Sequence, residues 1–334
     1  MTIRMPAEWE PHDWIWIGLP WNRNEWGGEA MLARAQAQIC AFADTMQAGG
    51  KGEEVRLVCN DEAGATLARA LSKSETHIVI ERIGDAWLRD TGPIGVATPD
   101  GFRALIDFRF NGWGGKYEMP GDEDIGARLA GTTALPCHHA PFVFEGGAID
   151  TDGTGLFVTT EQCLLNPNRN SDLDRRKVET LLAGSLGLRD MLWFGDGLVN
   201  DHTDGHVDNL ARFVAPGVIA IPHATTDDDP NAAIYADAAA RAKAHGLAVA
   251  PMPSPGRVEA GGAIVPASYM NFCIGNAAVV VPGYGRPNDD AAVEALRPFF
   301  PERDIVSLPS DAVLAGGGSF HCISQQMPSP DASL

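Results

Sequence analysis

Residues 207–250 read VDNLARFVAPGVIAIPHATTDDDPNAAIYADAAARAKAHGLAVA, and this stretch indicates the fold of the chain. Two extended pieces, Val207 to Phe213 and Val218 to Ile221, precede an alanine-rich helix from Asn231 to Ala244. A strand, Leu247 to Ala250, comes after that helix. A hairpin that leads into a helix and a further strand predicts one ββαβ unit of an α/β protein.

The same order of elements recurs along the chain at a spacing of roughly 60 residues. Asp-Gly turns at 100–101 and 152–153 each separate two apolar stretches, as the turn of a β-hairpin does. Apolar residues at helical spacing predict a helix over Glu29–Gln47, and Ser171 or Asp172 can cap another. Four or five such units around a common axis would explain the pattern, while the periodicity alone leaves an ordinary two-domain α/β fold open.

The composition is that of a globular chain with a strongly acidic surface. Of the 334 residues, 45% are hydrophobic and 21% are charged, which excludes a disordered or low-complexity protein. Lysine and arginine total 25 against 44 acidic residues, a net charge of −19. Such a charge repels nucleic acid and anionic membranes and attracts small cations.

Two further features predict a cytoplasmic protein without a membrane partner. No apolar run approaches the ~18 residues of a membrane span, and residues 1–10 lack the apolar stretch of a secretory signal. The six cysteines lie far apart without C-x-x-C spacing, which is typical of reduced thiols.

Short stretches of small and polar residues are the candidates for chemistry. They are Gly84–Pro93, Phe144–Gly147, Asp201–Asn209, Pro266–Phe272 and Gly316–Gln326. In a ring of similar units, equivalent strand ends meet at the axis, so one polar residue from each would line a central pocket. His206 and Asp208, two apart, face the same side of an extended segment and could act on one ligand as acid and base.

The stretch around His206 has two rival interpretations. A satisfied surface pair of histidine and aspartate is about equally compatible with it. His202, Asp204, His206 and Asp208 could instead bind a divalent metal, which would make the chain a metal-dependent hydrolase. No second cluster of comparable metal-ligand content occurs in the sequence.

Cys322 follows Gly316 to Gly318, and glycines allow a close backbone approach that can expose a thiol to a ligand. As a thiolate it would attack an electrophilic carbon. A cysteine without an identified partner is more often structural. On an extended chain His321 faces away from its neighbour Cys322, so His206 is the better candidate for the base.

Asp90 and Glu145 complete the candidate set. Taken alone, Arg89-Asp90 is typical of a surface ion pair, and Glu145 is typical of a strand end before a turn.

Eight ordered motifs together resemble the agmatine deiminase family, which is grouped with bacterial peptidylarginine deiminases in the guanidine-modifying (pentein) superfamily. The motifs cover nearly the whole chain: Met5–His12, Trp87–Pro93, Phe110–Tyr117, Glu145–Gly147, Leu164–Asn170, Thr203–Asn209, Ser268–Phe272 and Gly316–Cys322. The resemblance implies a single catalytic domain over residues 1–334, folded as a five-bladed α/β propeller of ββαβ units. It also implies no metal or organic cofactor, and a homodimer.

The resemblance also implies a site. Cys322 would be the nucleophile and His206 the general acid and base, with Asp90, Glu145 and Asp208 around the guanidinium of the substrate. The sequence adds Trp87 and Trp113 as possible walls for its alkyl chain.

Two positions depart from the family pattern. Family members usually carry an acidic residue where this chain has His202, and often Asn where it has Gly84. Both changes bear on the substrate more than on the reaction class.

The expected reaction converts agmatine and water to N-carbamoylputrescine and ammonia. A peptidylarginine or free-arginine deiminase is the nearest alternative and would need a cation such as Arg89, Arg109 or Arg169 for the substrate carboxylate. A metal-dependent guanidino hydrolase and a non-catalytic propeller that serves as a binding module are more remote alternatives.

Overall fold

The computed structural model describes residues 3–98 and 100–332. The strands within these ranges are β1 His12–Gly18, β2 Glu54–Cys59, β3 His77–Ile80, β4 Ile94–Ala97, β5 Arg103–Arg109, β6 Cys137–Val143, β7 Asp150–Thr151, β8 Leu156–Thr160, β9 Asp190–Phe194, β10 Arg212–Ala215, β11 Val218–His223, β12 Ala248–Pro253, β13 Glu259–Ala260, β14 Ala263–Ile264, β15 Cys273–Ile274, β16 Ala278–Gly283, β17 Asp304–Pro309 and β18 Ser324–Pro328. The α-helices are α1 Glu29–Gln47, α2 Glu62–Leu71, α3 Leu88–Thr91, α4 Gly112–Gly115, α5 Ile125–Gly131, α6 Glu161–Leu164, α7 Pro167–Asn170, α8 Arg175–Leu186, α9 Ala232–Ala244, α10 Asp289–Leu296 and α11 Asp311–Leu314.

Five sheets repeat one topology. In four of them an antiparallel pair is followed by a strand parallel to the second, and helix lies in the crossover: β4-β5-β6, β7-β8-β9, β10-β11-β12 and β15-β16-β17. Parallel neighbours require such a crossover because a tight turn only reverses the chain. The fifth sheet has the order β18-β1-β2-β3, and β13 and β14 form a separate short hairpin.

The fifth sheet joins the two ends of the described chain. Strand β18 pairs antiparallel with β1, and β1 pairs parallel with β2 across α1. The ββαβ pattern is therefore completed here by strands that lie more than 300 residues apart in sequence. This pairing closes the ring of units.

Most predicted elements are confirmed with small shifts at their ends. The helix over Glu29–Gln47 has the predicted bounds, and its inner face buries Leu32, Ile39, Phe42 and Met46. The predicted cap for α8 was wrong. Asp174 caps that helix by accepting the Lys177 backbone N–H at 2.9 Å, because the chain first forms the short helix α7.

Part of the extended piece predicted over Val207–Phe213 is a turn. Val207–Asn209 forms a 3-10 helix, and β10 begins only at Arg212. The Val207 carbonyl accepts the N–H groups of Leu210 and Ala211, so the local backbone bonds favour a turn over a strand.

Equivalent turns precede the first strand of other units. Gly146–Ala148 and Tyr269–Asn271 are also 3-10 helices, and α3 is a single helical turn. Successive members of this series pack on one another, from α3 to Gly146–Ala148, Val207–Asn209 and Tyr269–Asn271. The predicted convergence of equivalent segments at a common axis is thus observed, although the segments are turns.

Among the described residues no helix is both long enough and apolar enough to cross a membrane.

Candidate active site

Three of the inner turns and the segment before β18 bring the five predicted side chains together. Asp90 lies in α3, Glu145 directly precedes the turn at 146–148, and His206 directly precedes the turn that contains Asp208. Cys322 lies in the turn before β18. All five are buried.

Gly147 marks the point where three of these side chains meet. A methyl group built at Gly147 would lie 2.6 Å from His206 Nδ1, 2.8 Å from Asp90 Oδ1 and 3.2 Å from Asp208 Oδ2. Its backbone N–H donates to Asp90 Oδ1 at 2.9 Å. Only glycine fits here because any side chain would occupy the space between the imidazole and the two carboxylates.

The Cys322 sulfur is held by polar neighbours. Asn271 Nδ2 lies 3.0 Å from Sγ, and Asp208 Oδ2 lies 3.6 Å from it. Asn271 Oδ1 also accepts the backbone N–H groups of His321 and Cys322, at 3.0 and 3.2 Å. The Asn271 amide therefore fixes both the backbone and the side chain of the cysteine.

His206 and Glu145 form a second buried pair. His206 Nε2 lies 3.0 Å from Glu145 Oε2, and Nδ1 lies 3.7 Å from Asp90 Oδ1. Arg169 donates to both oxygens of Glu145, from Nε at 2.8 Å and from a terminal nitrogen at 3.0 Å. This bidentate contact orients the carboxylate that in turn orients the imidazole.

Asp208 is anchored from the side away from this pair. His321 Nδ1 lies 2.8 Å from Asp208 Oδ2, and His321 Nε2 lies 2.9 Å from Glu8 Oε2. Cys322 and His321 thus contact the same carboxylate oxygen. The prediction that neighbouring side chains diverge does not hold here because residues 321–323 form a turn.

Burial and neighbouring charge shift the protonation of the site. Burial raises the pKa of the Cys322 thiol well above its usual value, and the carboxylates of Asp208 and Asp90 raise it further. Burial alone would lower the pKa of His206, but Asp90 and Glu145 outweigh it and raise that pKa well above the ordinary imidazole value. The free site therefore favours a neutral thiol and a protonated imidazole.

The three carboxyl groups differ from one another. Burial raises the pKa of Asp90, whereas His206 and Arg169 overcome burial and lower the pKa of Glu145. His321 overcomes burial and lowers the pKa of Asp208. Two of the three groups are thereby held as carboxylates.

Two buried polar atoms of the site have no hydrogen-bond partner among the described residues. They are His206 Nδ1 and Asp208 Oδ1. Buried polar atoms are otherwise paired in nearly all cases, so this pair of atoms indicates a polar ligand. A cation with several N–H donors would satisfy the free carboxylate oxygen.

An open cleft of about 720 Å³ leads to this point. Asp90 and Cys322 are at its buried end, and Trp87 and Trp113 form part of its apolar lining. Trp113 Nε1 donates to Asp90 Oδ2 at 2.9 Å. Both predicted tryptophans therefore line the cleft that ends at Cys322.

Gly318 lets the sulfur reach the cleft. A methyl group at Gly318 would lie 2.7 Å from the Trp87 ring and 3.1 Å from Cys322 Sγ. A larger residue would thus displace either the wall or the thiol.

The structure separates the four residues of the alternative metal site. Asp204 pairs with Lys116 and Arg169, and the ring of His202 contacts the Tyr117 hydroxyl at 3.2 Å. Neither joins His206 and Asp208.

A different trio, Glu145, Cys163 and His206, has ligand atoms within 4.8 Å of one another. Both oxygens of that glutamate already accept from the Arg169 guanidinium, so a metal cation would have to displace it. These residues fit an ion pair better than a metal centre.

The sequence prediction missed several residues that complete the site. Asn271, His321, Glu8 and Arg169 hold the sulfur, Asp208 and Glu145 in place. All four lie within the motifs that carry the family resemblance, and that membership was the available signal.

Comparisons with known proteins concern the family and the fold of this chain. The family described as Porphyromonas-type peptidyl-arginine deiminase matches residues 4–328. An agmatine deiminase of Stutzerimonas stutzeri is 35% identical over 98% of this chain and 95% of its own length. The structure of the agmatine deiminase of Enterococcus faecalis superposes with a TM-score of 0.89 at 31% identity, covering 98% of this chain and 96% of that one.

A more distant likeness concerns the fold alone. The structure of DDAH from Pseudomonas aeruginosa covers 95% of this chain and all of that one, with a TM-score of 0.57 at 13% identity. Together these comparisons confirm the predicted five-bladed α/β propeller, the pentein fold.

Proposed function

The chain belongs to the Porphyromonas-type peptidyl-arginine deiminase family, and from this premise we propose that it is a thiol-dependent agmatine deiminase. It hydrolyses the guanidinium of agmatine to N-carbamoylputrescine and ammonia. Full-length likeness to agmatine deiminases, at 35% identity for one curated relative and a TM-score of 0.89 for one solved structure, supports the reaction.

One observation carries the assignment of the site: a nucleophile and two carboxylates meet at the closed end of an acidic, aromatic cleft. Asp90 and Asp208 accept hydrogen bonds from the planar cation and place its central carbon in front of Cys322 Sγ. Glu145 acts through His206, since its two oxygens are already bound by Arg169.

The first half of the reaction exchanges nitrogen for sulfur. Cys322 loses its thiol proton to solvent when the guanidinium binds. Its Sγ forms a bond to the guanidinium carbon, and the bond from that carbon to the terminal nitrogen breaks. Protonated His206 gives its proton to the departing nitrogen, which leaves as ammonia. The product is a covalent thiouronium on the enzyme.

The second half regenerates the thiol. Neutral His206 takes a proton from water, and the oxygen of that water displaces the sulfur to leave a urea group. General acid and base catalysis of this kind contributes about 10²–10⁴-fold in rate. The Nδ1 atom of His206 is the ring nitrogen available for both steps, because Nε2 is bound to Glu145.

The carboxylates that bind the substrate oppose formation of the thiolate, and the substrate removes that conflict. Asp90 and Asp208 raise the pKa of the Cys322 thiol in the free protein. A bound guanidinium places a positive charge between these groups and the sulfur, which lowers that pKa when the thiolate is needed.

The charged residues around the cleft favour agmatine over arginine as the substrate. Arg169 is bound to Glu145 and Asp204, and Arg89 donates to Gln325 Oε1 at 2.9 Å. Neither is available for a substrate carboxylate. Arg109 is exposed and outside the cleft, and the described cleft lining contains no lysine or arginine.

The cellular setting and the assembly belong to the same proposal. All six cysteines are unpaired, which supports a reducing compartment and therefore a cytoplasmic location. A homodimer stays a prediction. Size-exclusion chromatography with light scattering measures the molar mass that tests it.

The test compares wild type with Cys322→Ser on agmatine, free arginine and a peptide with C-terminal arginine, with ureido product and ammonia measured. We expect wild type to prefer agmatine and Cys322→Ser to lose at least about 10³-fold in kcat, because serine is a far weaker nucleophile at neutral pH. Cys137→Ser, which changes a half-buried thiol in β6 off the cleft lining, serves as the matched cysteine control.

Activity that persists in Cys322→Ser and disappears with a chelator would refute the thiol mechanism in favour of a metal-dependent hydrolase. Wild type that releases ammonia from none of the three compounds would indicate the non-catalytic alternative.

A further inference from the structure

Glu25 is an exposed carboxylate on the lining of the same cleft that ends at Cys322. It lies in the loop between β1 and α1, one residue before the buried Trp26. Within the described residues its side chain makes no ion pair. Glu25 thus presents its carboxylate to the cleft.

The other two carboxyl groups that line the cleft have different tasks. Asp85 accepts the indole N–H groups of Trp26 and Trp87, both at 2.9 Å, and burial raises its pKa to about 6. Asp90 accepts from Gly147 N–H and from Trp113 Nε1 at the reacting end. Neither is a free carboxylate near the mouth.

The described part of the cleft lining around His202 offers no further carboxylate to a second cation. His202 lines the cleft, and its Nδ1 atom contacts the Tyr117 hydroxyl. Lys116 donates to the backbone oxygen of His202 at 2.8 Å and pairs with Asp204 at 2.5 Å. The Lys116 ammonium beside His202 disfavours a second ammonium group on this side of the mouth.

We propose that Glu25 determines substrate specificity by binding the second cation of the substrate. This inference rests on the proposed function and refines it. The guanidinium carbon lies at Cys322, the alkyl chain passes Trp87 and Trp113, and the terminal ammonium meets Glu25. The preferred substrates are guanidino compounds whose alkyl chain ends in a cation, and a terminal carboxylate is repelled.

The stacked indoles support this placement. The rings of Trp26 and Trp87 lie 5.5 Å apart and are inclined by 10°, and Asp85 holds both N–H groups. Trp26 and Asp85 thus fix the Trp87 ring that lines the cleft, and an aromatic face near a carboxylate is a favourable setting for an ammonium on an apolar stem.

The test measures two substrates with two matched variants. Glu25→Gln removes the charge at the proposed contact, and Glu29→Gln removes an equal charge four residues away, in the first turn of α1 and off the cleft lining. The substrates are agmatine and n-butylguanidine, which has the same chain without the terminal amine.

We expect Glu25→Gln to raise KM for agmatine about tenfold or more, since a charge-assisted hydrogen bond is lost. The kcat value and the turnover of n-butylguanidine should change less than about twofold, which also shows that the variant is folded. Glu29→Gln should leave both substrates unaffected.

An equal rise in KM for both substrates in Glu25→Gln, or no change in KM for either, would overturn the proposed role of Glu25. If KM for agmatine rose selectively in Glu118→Gln instead, the ammonium would bind in the neighbouring depression that Glu118 lines. Failure of the proposed function is a separate result, because wild type would then not hydrolyse agmatine at all.

Discussion

His321 shows how much a side chain that takes no part in the reaction can contribute to the geometry of the site. Its two ring nitrogens each face a carboxylate oxygen, of Asp208 at 2.8 Å and of Glu8 at 2.9 Å. These two contacts fix the orientation of the ring between the two carboxylates. It holds Asp208 as a carboxylate and fixes the oxygen that contacts Cys322, which makes it a positioning residue.

Removal of the His321 imidazole should lower kcat and shift the pH profile. In His321→Ala we expect kcat to fall on the order of 100-fold, because a displaced Asp208 no longer aligns the guanidinium. The pKa of Asp208 should rise once its hydrogen bond with His321 is lost, so activity on the acidic side should disappear at a higher pH than in wild type.

The pH dependence of kcat/KM for wild type, His321→Ala and His321→Gln measures this effect. The glutamine variant retains one amide donor and should recover part of the rate. A lower kcat with an unmoved acidic limb would assign His321 a merely structural role.

The turns at the axis are the elements that sequence patterns described least well. Alternating apolar residues around Val207 and Asp208 resemble a strand, yet the segment is a 3-10 turn. Periodicity does not reveal the buried partners of the polar residues, and those partners decide the local backbone. Asn271 was missed for the same reason, because its role depends on the amide reaching the sulfur across the axis.

The loop before α3 explains one departure from the family pattern. Gly84 packs against the segment 119–122, where a methyl group would lie 2.6 Å from Met119 Cβ and 2.7 Å from Asp122 Cγ. Asp122 Oδ1 accepts the N–H groups of Gly84 and Asp85, at 2.9 and 3.2 Å. Burial, with a further contribution from Asp85, raises the pKa of Asp122 to about 7.

This loop should make stability depend on pH in the opposite sense to an ordinary salt-bridged carboxylate. The folded protein holds a proton on Asp122 between about pH 4 and pH 7, whereas the unfolded chain releases it, so the free energy of unfolding falls as pH rises through this window. Asp122→Asn should make the slope less negative by up to about 1.4 kcal/mol per pH unit.

Denaturant unfolding at several pH values measures the slope. Asp172→Asn, at an exposed aspartate, is the control and should keep the wild-type slope. An Asp122→Asn protein with that same slope would contradict the assignment.

The charge of the molecule as a whole should affect how substrates arrive. A net charge of −19 attracts a dication more strongly than a monocation, and salt screens this attraction over ~10 Å at 0.1 M ionic strength. We expect kcat/KM for agmatine to fall several-fold as salt rises from low to about 0.5 M, and that for n-butylguanidine to fall less. Initial rates across a salt series test this, and equal slopes for the two compounds would exclude long-range attraction as the cause.

For the molecule as a whole, the repeat pattern and the ordered motifs in the sequence were enough to predict the fold. The spacing of hairpins and helices left the number of units at four or five, and the resemblance fixed five. The closing pair of β1 and β18 is not visible in local patterns, because its two strands come from opposite ends of the described chain. That all 334 residues form one catalytic domain stays a prediction.

The closure of the ring by β18 has a consequence for the nascent protein. Cys322 and the strand that completes the first sheet are made within a few residues of each other, after every other part of the site. A ribosome-bound chain in which this segment has not yet been synthesised lacks both the Cys322 sulfur and the strand that closes the ring. Such a nascent chain cannot carry out the deiminase reaction. The activity becomes possible only when this last segment has been made and has paired with β1.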